Sequence, residues 1–287
     1  MNELARRVVV ALIGAPIALG LIWIGDAALT TLLGVMAAIG AWEFYRLARD
    51  SGAAPMAPLG IVLSALIPIA VHAHYLGVAR MPIALVPLVA VATLGASIWL
   101  RGVEGQPLAS TSSTIFGAIY TGGTLSFAYA LRYHNYAVGD MAGALVVIFP
   151  LVLTWASDIG AYFSGRAIGG RKLMPSVSPG KTIAGAIGAV ITTIVVAYAL
   201  VHLLLIPHAQ LAFTPVGLVI FAVLVSVTAQ IGDLAESLLK REAGVKDSGT
   251  LFPGHGGVLD RLDSLFFVLP TAYVLYDLLL IPAPGGR

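Results

Sequence analysis

Cysteine is absent from the 287 residues of this protein, and charged side chains make up only 10% of them. The absence of cysteine excludes disulfide bonds, thiolate metal sites and cysteine nucleophiles. The scarcity of charge excludes an ordinary soluble domain, in which roughly a quarter of the residues are charged. Hydrophobic residues instead make up 59% of the chain, against about 45–50% in soluble domains. The composition therefore predicts a membrane protein.

Repeated apolar runs are long enough to cross a bilayer, which takes about 18 or more residues. We predict nine spans, at about residues 8–25, 27–47, 57–76, 81–100, 113–132, 141–163, 183–206, 214–239 and 257–281. The first run follows Met1–Arg7 and has no small-residue cleavage site, so we expect a retained helix rather than a removed signal peptide. The predicted fold class is all-α, a polytopic integral membrane helical bundle with about nine transmembrane helices.

Lys and Arg are unevenly divided between the two sides of this topology. The side of the amino terminus carries 13 of the 16 basic residues, and the other side carries 3. Because loops rich in Lys and Arg stay in the cytoplasm, we predict a cytoplasmic amino terminus. The protein is expected to be a multi-pass protein of the cell (inner) membrane, with the charged segment 237–263 facing the cytoplasm.

The chain also divides by its polar content. Up to about residue 140 polar residues lie mostly in loops, whereas further along they enter the spans themselves. We therefore expect residues 1–140 to form a scaffold of membrane helices with possible oligomer contacts, such as those of a homodimer. Residues 141–287 are expected to form the catalytic part, with membrane helices and cytoplasmic loops.

Span eight carries the polar residues Gln230, Asp233, Ser237 and Lys240 at spacings of three and four, with Glu236 beside them. These spacings place the four residues on one helical face. A charged side chain at membrane depth costs several kcal/mol unless it is paired or hydrated, so it is a functional candidate. The simpler interpretation is a packing face that is neutralised by an ion pair between Glu236 and Lys240.

Span nine begins with Asp260 and Asp263, three residues apart, and Asp233 precedes them on span eight. Acidic residues in a first helical turn can simply complement the helix dipole. Carboxylates that converge in a partly dry site repel each other unless a cation lies between them. Hard oxygen ligands favour Mg²⁺, which keeps waters and shares substrate phosphates. We favour the metal site.

The loop before span nine contains His255, Gly256 and Gly257. Glycine permits close backbone approach and positive φ, and N–H groups at a helix amino terminus attract phosphate. Such a turn is most often only a turn. The cationic residues that flank it, Lys246 and Arg261, make phosphate binding the favoured interpretation.

The segment after span six runs from Asp158 to Thr182 and contains four basic residues among Gly, Ser and Pro. Its Gly180-Lys181-Thr182 is not a P-loop, because that motif requires glycine where this chain has Pro175. A basic loop at an anionic lipid surface would explain the charge. It would not explain Asp158 at the end of a span, so we favour a loop that holds a polyanion.

Other polar residues have simpler interpretations. Glu43 and Arg46 are three residues apart in span two and predict a local ion pair. The histidines outside the loop before span nine are interpreted as structural or interfacial, namely His72, His74, His134, His202 and His208.

Together these motifs resemble a known family. Residues 237–263 read S-x-L-K-R, then K-D-x-G from Lys246, then F-P-x-H-G-G-V-x-D-R-L-D up to Asp263. This pattern resembles that of the phosphatidate cytidylyltransferases (CDP-diacylglycerol synthases). Residues 158–166, 178–182 and 232–237 also look like elements of that family.

The resemblance implies an enzyme that transfers CMP from CTP to phosphatidic acid, giving CDP-diacylglycerol and pyrophosphate for phospholipid synthesis. It implies Mg²⁺, with a second cation possible, and membrane lipids but no nucleic acid as partners. Asp233 and Asp260 would be metal ligands, and Asp263 a ligand or a supporting group. The catalytic residues that would neutralise phosphates are Lys240, Lys246, His255 and Arg261. The residues that would bind the substrates are Asp158, Ser178, Lys181, Ser237, Gly256 and Gly257.

Two other interpretations stay open. A CTP-dependent lipid kinase, or a cytidylyltransferase that acts on an isoprenoid lipid, would use the same nucleotide. An ion-coupled transporter would use Asp158, Asp233 and Glu236. Transporters place such groups near the midplane between internal repeats, and this chain has no convincing internal repeat.

Overall fold

The computed structural model describes residues 3–251 and 256–283, with side chains from residue 12 onward. Helices dominate these residues, and four short strands accompany them. The helices are α1 Glu3–Ile24, α2 Asp26–Asp50, α3 Ala57–Tyr75, α4 Leu85–Leu100, α5 Pro107–Ala118, α6 Thr124–Arg132, α7 Gly139–Ile168, α8 Ile183–Leu200, α9 Pro215–Glu242, α10 Leu259–Leu262 and α11 Leu265–Leu279. Two π-helical segments, Ile119–Gly123 and Val201–Ala209, continue α5 and α8. The strands are β1 Lys172–Met174, β2 Ser178–Thr182, β3 Leu211–Phe213 and β4 Leu280–Pro282.

Six of these helical segments are long and apolar enough to cross a membrane. They are α2, α3, α7, α8 with its π-helical continuation, α9, and the stretch from α10 to α11. Leu12–Ile24 and α4 are apolar but shorter. The predicted class, a multi-pass helical membrane protein, is confirmed; the count of nine spans stays a prediction.

By their internal packing the residues form two compact units. Unit 1 comprises Met1–Tyr129 and Leu239–Leu262, and unit 2 comprises Ala130–Leu238 and Asp263–Arg287. The boundary drawn near residue 140 reflects polar content, whereas packing groups residues 239–262 with the amino-terminal helices. The scaffold and catalytic roles expected of 1–140 and 141–287 stay predictions.

Unit 1 is built around α2, which packs on α3 and α5. Tyr45 of α2 is fully buried, and its hydroxyl donates a hydrogen bond of 2.6 Å to the carbonyl oxygen of Thr114 on α5. Gly60 of α3 and Gly117 of α5 lie against its ring, where an added Cβ would overlap the ring atoms. Two helices, α3 and α5, therefore approach this tyrosine of α2 closely, because each presents a glycine to its ring.

Unit 2 is built on the pair of α7 and α8, which pack along much of their length. Small residues permit this approach, as is common between helices in membranes. A Cβ at Gly160 would lie 2.5 Å from the Thr192 hydroxyl oxygen and 2.9 Å from the Gly188 carbonyl oxygen. The strands β3 and β4 pair antiparallel, with Leu211 opposite Pro282.

Candidate active site

A β-hairpin follows α7 in unit 2, where a loop was predicted. Strands β1 and β2 pair antiparallel, with Lys172 opposite Thr182 and Met174 opposite Ser178. Thr182 then caps α8, because its hydroxyl accepts a hydrogen bond of 3.0 Å from the N–H of Gly185, as N-cap residues do. The hairpin fixes Lys181 at the start of α8.

A cavity of about 620 Å³ lies in unit 2 beside this hairpin. Its polar lining comes from α7, β2 and α9, while α8 contributes Gly185 and Ala186; the lining includes three of the predicted site residues. The polar side chains of the lining are Asp158, Tyr162, Arg166, Lys181, Thr182, Gln230 and Asp233. Helices and a hairpin that are distant in sequence thus bring Asp158, Lys181 and Asp233 to one cavity.

Asp233 and Lys181 form an ion pair at the cavity wall. The Lys181 ammonium lies 2.7 Å from Asp233 Oδ2, and the two side chains are 26% and 36% exposed. The Ser237 hydroxyl, one turn further along α9, donates to Asp233 Oδ1 at 3.4 Å. The exposed part of the Lys181 side chain is its stem, because its Nζ atom is buried, whereas the Asp233 side chain is 36% exposed and is the more accessible of the two to a ligand in the cavity.

Four polar residues of the lining were not among the predicted site residues, namely Tyr162, Arg166, Thr182 and Gln230. On α7, Tyr162 and Arg166 follow Asp158 at intervals of four, and the Arg166 guanidinium donates to the Tyr162 hydroxyl at 2.9 Å. On α9, the Gln230 amide donates to the Ser226 hydroxyl at 3.3 Å. The spacing of four on α7 was a signal that could have identified the first two, because such residues share a helical face.

Asp260 is the most tightly held carboxylate in the carboxyl-terminal part of unit 1. The Lys240 ammonium donates to its Oδ1 at 2.7 Å, and the two side chains are 13% and 6% exposed respectively. Its Oδ2 accepts three hydrogen bonds of 2.8 Å, from the N–H and the hydroxyl of Ser248 and from the N–H of Gly257. Asp260 therefore fastens both ends of the segment 248–257.

Glu43 is a second carboxylate at this segment, and sequence reasoning missed it. Its side chain is fully buried. It accepts hydrogen bonds from the N–H groups of Val258 at 3.0 Å and Leu259 at 2.8 Å, and it shares the single proton of the Ser248 hydroxyl, 3.2 Å away, with Asp260. The predicted local pair with Arg46 is wrong, because the Glu43 carboxylate is buried against these donors instead. More than 200 residues separate Glu43 from Val258, so no local pattern could reveal the contact.

These bonds occupy the helix-start N–H groups that were expected to attract phosphate. The N–H of Gly257 donates to Asp260, and those of Val258 and Leu259 donate to Glu43. Gly256 has a φ of +80°, a conformation that favours glycine. The two glycines thus serve the close approach of the backbone to two carboxylates of the chain itself.

The remaining predicted residues lie as follows. Lys246 and Arg261 are exposed, and Ser178 is half-buried on β2. The span expected to be one helix over 257–281 is interrupted between α10 and α11, where the Asp263 carboxylate accepts a hydrogen bond of 2.6 Å from the N–H of Ser264. His255 lies outside the described residues.

Two of these carboxylates are the ligands that the resemblance implies for Mg²⁺. Asp233 and Asp260 offer the hard oxygen atoms that this cation prefers, and each already binds a positive ammonium group at 2.7 Å. Within residues 12–251 and 256–283 no group of three His, Asp or Glu side chains converges as a ready-made metal centre. Asp233, which is 36% exposed, fits a cation that would draw further ligands from water or phosphate, whereas both oxygen atoms of Asp260 already accept hydrogen bonds.

Known proteins resemble this chain over nearly all of its length. The model of the cytidylyltransferase family matches residues 5–279. The phosphatidate cytidylyltransferase of Bacillus subtilis is 31% identical over 283 residues, which cover 97% of this chain and 99% of that one. The protein of the same name from a Synechocystis species is 31% identical over 297 residues, covering 96% and 97% of the two chains. The phosphatidate cytidylyltransferase of Haemophilus influenzae is 44% identical over 149 residues, about half of each chain. The predicted resemblance is thus confirmed: the chain belongs to the cytidylyltransferase family and is a nucleotidyltransferase.

Proposed function

We propose that this protein transfers CMP from CTP to phosphatidic acid, giving CDP-diacylglycerol and pyrophosphate. The names of the full-length relatives support this substrate pair. The structural observation that carries the proposal is the cavity of unit 2, where Lys181 and Arg166 lie with Asp158 and Asp233. Its volume of about 620 Å³ is within the range of small-molecule sites, roughly 300–1,000 Å³.

The reaction requires neutralisation of charge more than it requires a protein nucleophile. An oxygen of the lipid phosphate attacks the α-phosphorus of CTP, a new P–O bond forms, and the bond to the β-phosphate oxygen breaks as pyrophosphate leaves. The approaching groups are all anionic, so correct positioning and fixed positive charge dominate catalysis of this kind. The absence of cysteine is consistent with such a mechanism.

Within unit 2 we assign nucleotide binding to the cavity residues. Lys181 would neutralise a phosphate, and Ser237 would hold the Asp233 carboxylate with which Lys181 pairs. Ser178 would orient the hairpin and Asp158 would accept hydrogen bonds from a substrate. The 2.7 Å pair and the shared lining support the roles of Lys181 and Asp158, the hydrogen bond to Asp233 supports that of Ser237, and the pairing with Met174 supports that of Ser178.

Within unit 1 we assign Lys240 and Asp260 to the reacting phosphates. Lys246 and Arg261 are exposed, so their cationic groups are available to phosphate. Gly256 would act by letting the backbone approach the Asp260 carboxylate, and Gly257 by donating its N–H to it. His255 is assigned from the resemblance, as are the roles of Asp263 as a ligand or supporting group.

We propose that Asp233 and Asp260 hold Mg²⁺. When bound, the cation supplies charge neutralisation to the triphosphate. The 36% exposure of Asp233 supports its part in the assignment, whereas Asp260 would have to exchange Lys240 or another hydrogen-bond donor for the cation. A second cation, a homodimer and a cytoplasmic site remain part of this proposal, the last supported by the 13-to-3 division of basic residues.

The reaction can be tested with the purified protein and CTP labelled at one phosphate. With phosphatidic acid, we expect label at the α-phosphate to appear in the lipid and label at the γ-phosphate to leave as pyrophosphate. Label from the γ-phosphate in the lipid would instead establish a lipid kinase. An isoprenoid lipid phosphate in place of phosphatidic acid tests the other alternative, and we expect no labelled product from it.

The site assignment can be tested with matched variants. We expect Asp233→Asn and Asp260→Asn each to lower kcat by about 100-fold or more, as removal of a charged catalytic group does, while the protein stays folded. Asp50→Asn changes an exposed carboxylate at the end of α2 and should leave kcat unchanged. Near-normal turnover by either site variant would remove that residue from the proposed site.

The cavity can be tested in the same assay. Lys181→Ala should raise the KM for CTP, because the ammonium at the cavity wall is lost. Lys172→Ala removes an exposed lysine from the same hairpin and serves as its control. Equal effects of the two variants on the KM for CTP would indicate that the hairpin acts only as a basic surface at the membrane.

A further inference from the structure

A fully buried carboxylate on α2 has no part in the assignments above. Glu43 lies in the amino-terminal helices, yet all three of its hydrogen-bond donors belong to the segment 248–259. A buried carboxylate is costly unless its oxygen atoms are satisfied. We propose that Glu43 is a positioning residue that fixes Asp260 and the segment before it; its effect on turnover rests on the proposed function.

Both carboxylate oxygens of Glu43 are engaged by the backbone around Asp260. Oε1 accepts from the N–H of Val258 at 3.0 Å, and Oε2 accepts from the N–H of Leu259 at 2.8 Å. Leu259 directly precedes Asp260 in α10. Two hydrogen bonds to consecutive N–H groups fix both the position and the direction of this helix start.

Ser248 connects the two carboxylates. Its hydroxyl oxygen lies 2.8 Å from Asp260 Oδ2 and 3.2 Å from Glu43 Oε2, and its N–H donates to Asp260 at 2.8 Å. The residue itself is only 1% exposed. Because a single serine contacts both acids, a shift of Glu43 changes the hydrogen bonding of Asp260.

Two glycines are required by the Glu43 carboxylate. A Cβ added to Gly249 or Gly257 would overlap its atoms. Neither glycine has a positive φ, so the requirement is for space and not for an unusual backbone conformation. Gly249 and Gly257 therefore leave the space that the Glu43 carboxylate occupies, which gives the proposal a steric test besides the electrostatic one.

The first test measures the local stability of the segment by limited proteolysis of the purified full-length protein. Lys246 is exposed and lies two residues before Ser248, so trypsin cleavage after it reports opening of the segment. Glu43→Gln should accelerate this cleavage about tenfold, as expected for loss of one charge-assisted hydrogen bond. Cleavage after Lys172 in the β1–β2 hairpin should be unchanged.

Controls separate a local from a general effect. Glu104→Gln removes an exposed carboxylate between α4 and α5 and should leave both cleavage rates unchanged. Equal acceleration at Lys246 and Lys172 in Glu43→Gln would show general destabilisation and overturn the proposal. So would an unchanged rate of cleavage after Lys246.

The second test combines steric and electrostatic changes. Gly249→Ala and Glu43→Asp should each accelerate cleavage after Lys246, the first by crowding the carboxylate and the second by withdrawing it. In the double variant the shortened side chain makes room for the added methyl group. We therefore expect the double variant to accelerate cleavage by less than the product of the two single effects. An acceleration equal to that product would overturn the steric relation.

The third test separates positioning from substrate binding. Glu43→Gln should lower kcat about tenfold or more, because a group that orients a functional residue has been altered, while the KM for CTP changes by less than about threefold. An unchanged kcat would refute an effect on Asp260. If the unaltered protein makes no CDP-diacylglycerol, the proposed function fails, and the proteolysis result still decides whether Glu43 holds the segment.

Discussion

Replacement of Lys240 by methionine tests the reasoning about the unit 1 site most directly. Lys240→Met keeps most of the aliphatic stem and removes the ammonium group that donates to Asp260 Oδ1 at 2.7 Å. The exposed fractions of 13% and 6% mean that water replaces the lost charge only in part. We expect the segment fastened by Asp260 to open more often.

The magnitude follows from the geometry. Two unit charges 2.7 Å apart attract each other by about 6 kcal/mol at an effective dielectric constant of ~20. Desolvation offsets several kcal/mol of this attraction, and Asp260 keeps its three other hydrogen bonds. A net cost of about 2 kcal/mol remains, which corresponds to about a 30-fold change in an opening equilibrium.

Hydrogen exchange measures this equilibrium at the right place. The N–H groups of Ser248 and Gly257 both donate to Asp260, so their exchange should accelerate by about 30-fold in Lys240→Met. Lys246→Met changes an exposed lysine of the same segment and should have no effect. Acceleration below about threefold, or equal acceleration throughout α2, would refute the reasoning.

Two further predictions concern other parts of the chain. His134 lies between α6 and α7, 3.3 Å from Asp277, and burial lowers its pKa below 6.5 although the carboxylate of Asp277 acts in the opposite direction. On acidification the unfolded chain therefore takes up the proton first, so the thermal midpoint should be highest above pH 6.5 and should fall as the pH is lowered. His134→Gln should flatten this pH dependence. An unchanged slope in the variant would contradict the prediction. Tyr45→Phe removes the 2.6 Å hydrogen bond to the Thr114 carbonyl oxygen and should lower the unfolding free energy by about 1 kcal/mol or more, measured by thermal unfolding in detergent; an unchanged midpoint would contradict this assignment.

Much of the candidate site could be predicted because charge in an apolar chain is informative. Three charged residues could be predicted because they lie in or beside long apolar segments, namely Asp158, Lys181 and Asp233. The structure places all three around one cavity. Lys240 and Asp260 stood out in the same way, and they form a pair in unit 1. Ionisable groups are expensive in such surroundings, so the sequence shows where they must be compensated.

The partner of each charge could not be predicted. Lys240 donates to Asp260, 20 residues further along the chain. Glu43 has Arg46 within one turn, yet it binds Ser248, Val258 and Leu259. Helical spacing reveals only neighbours on the same helix. Contacts between segments more than 200 residues apart depend on packing, which no local pattern encodes.

The local irregularities were missed for a related reason. The β1–β2 hairpin has strands of 3 and 5 residues, and its second strand contains Pro179 and Gly180, so its sequence indicates a loop. The interruption between α10 and α11 lies in a run that has helical composition on both sides. There the hydroxyl of Ser264 donates to the Ala229 carbonyl oxygen at 3.0 Å, a contact with α9 that only the folded chain provides.

The sequence by itself determined the class of protein, its family and the residue types of its chemistry. Apolar length dictates helices that span a membrane, and a motif retains its residue identities whatever the packing. The tertiary structure decided which helix-start N–H groups are already bound, which lysine meets which aspartate, and that α2 contributes Glu43. These outcomes depend on the satisfaction of buried polar atoms within about 3 Å, a condition that arises only when distant segments pack together.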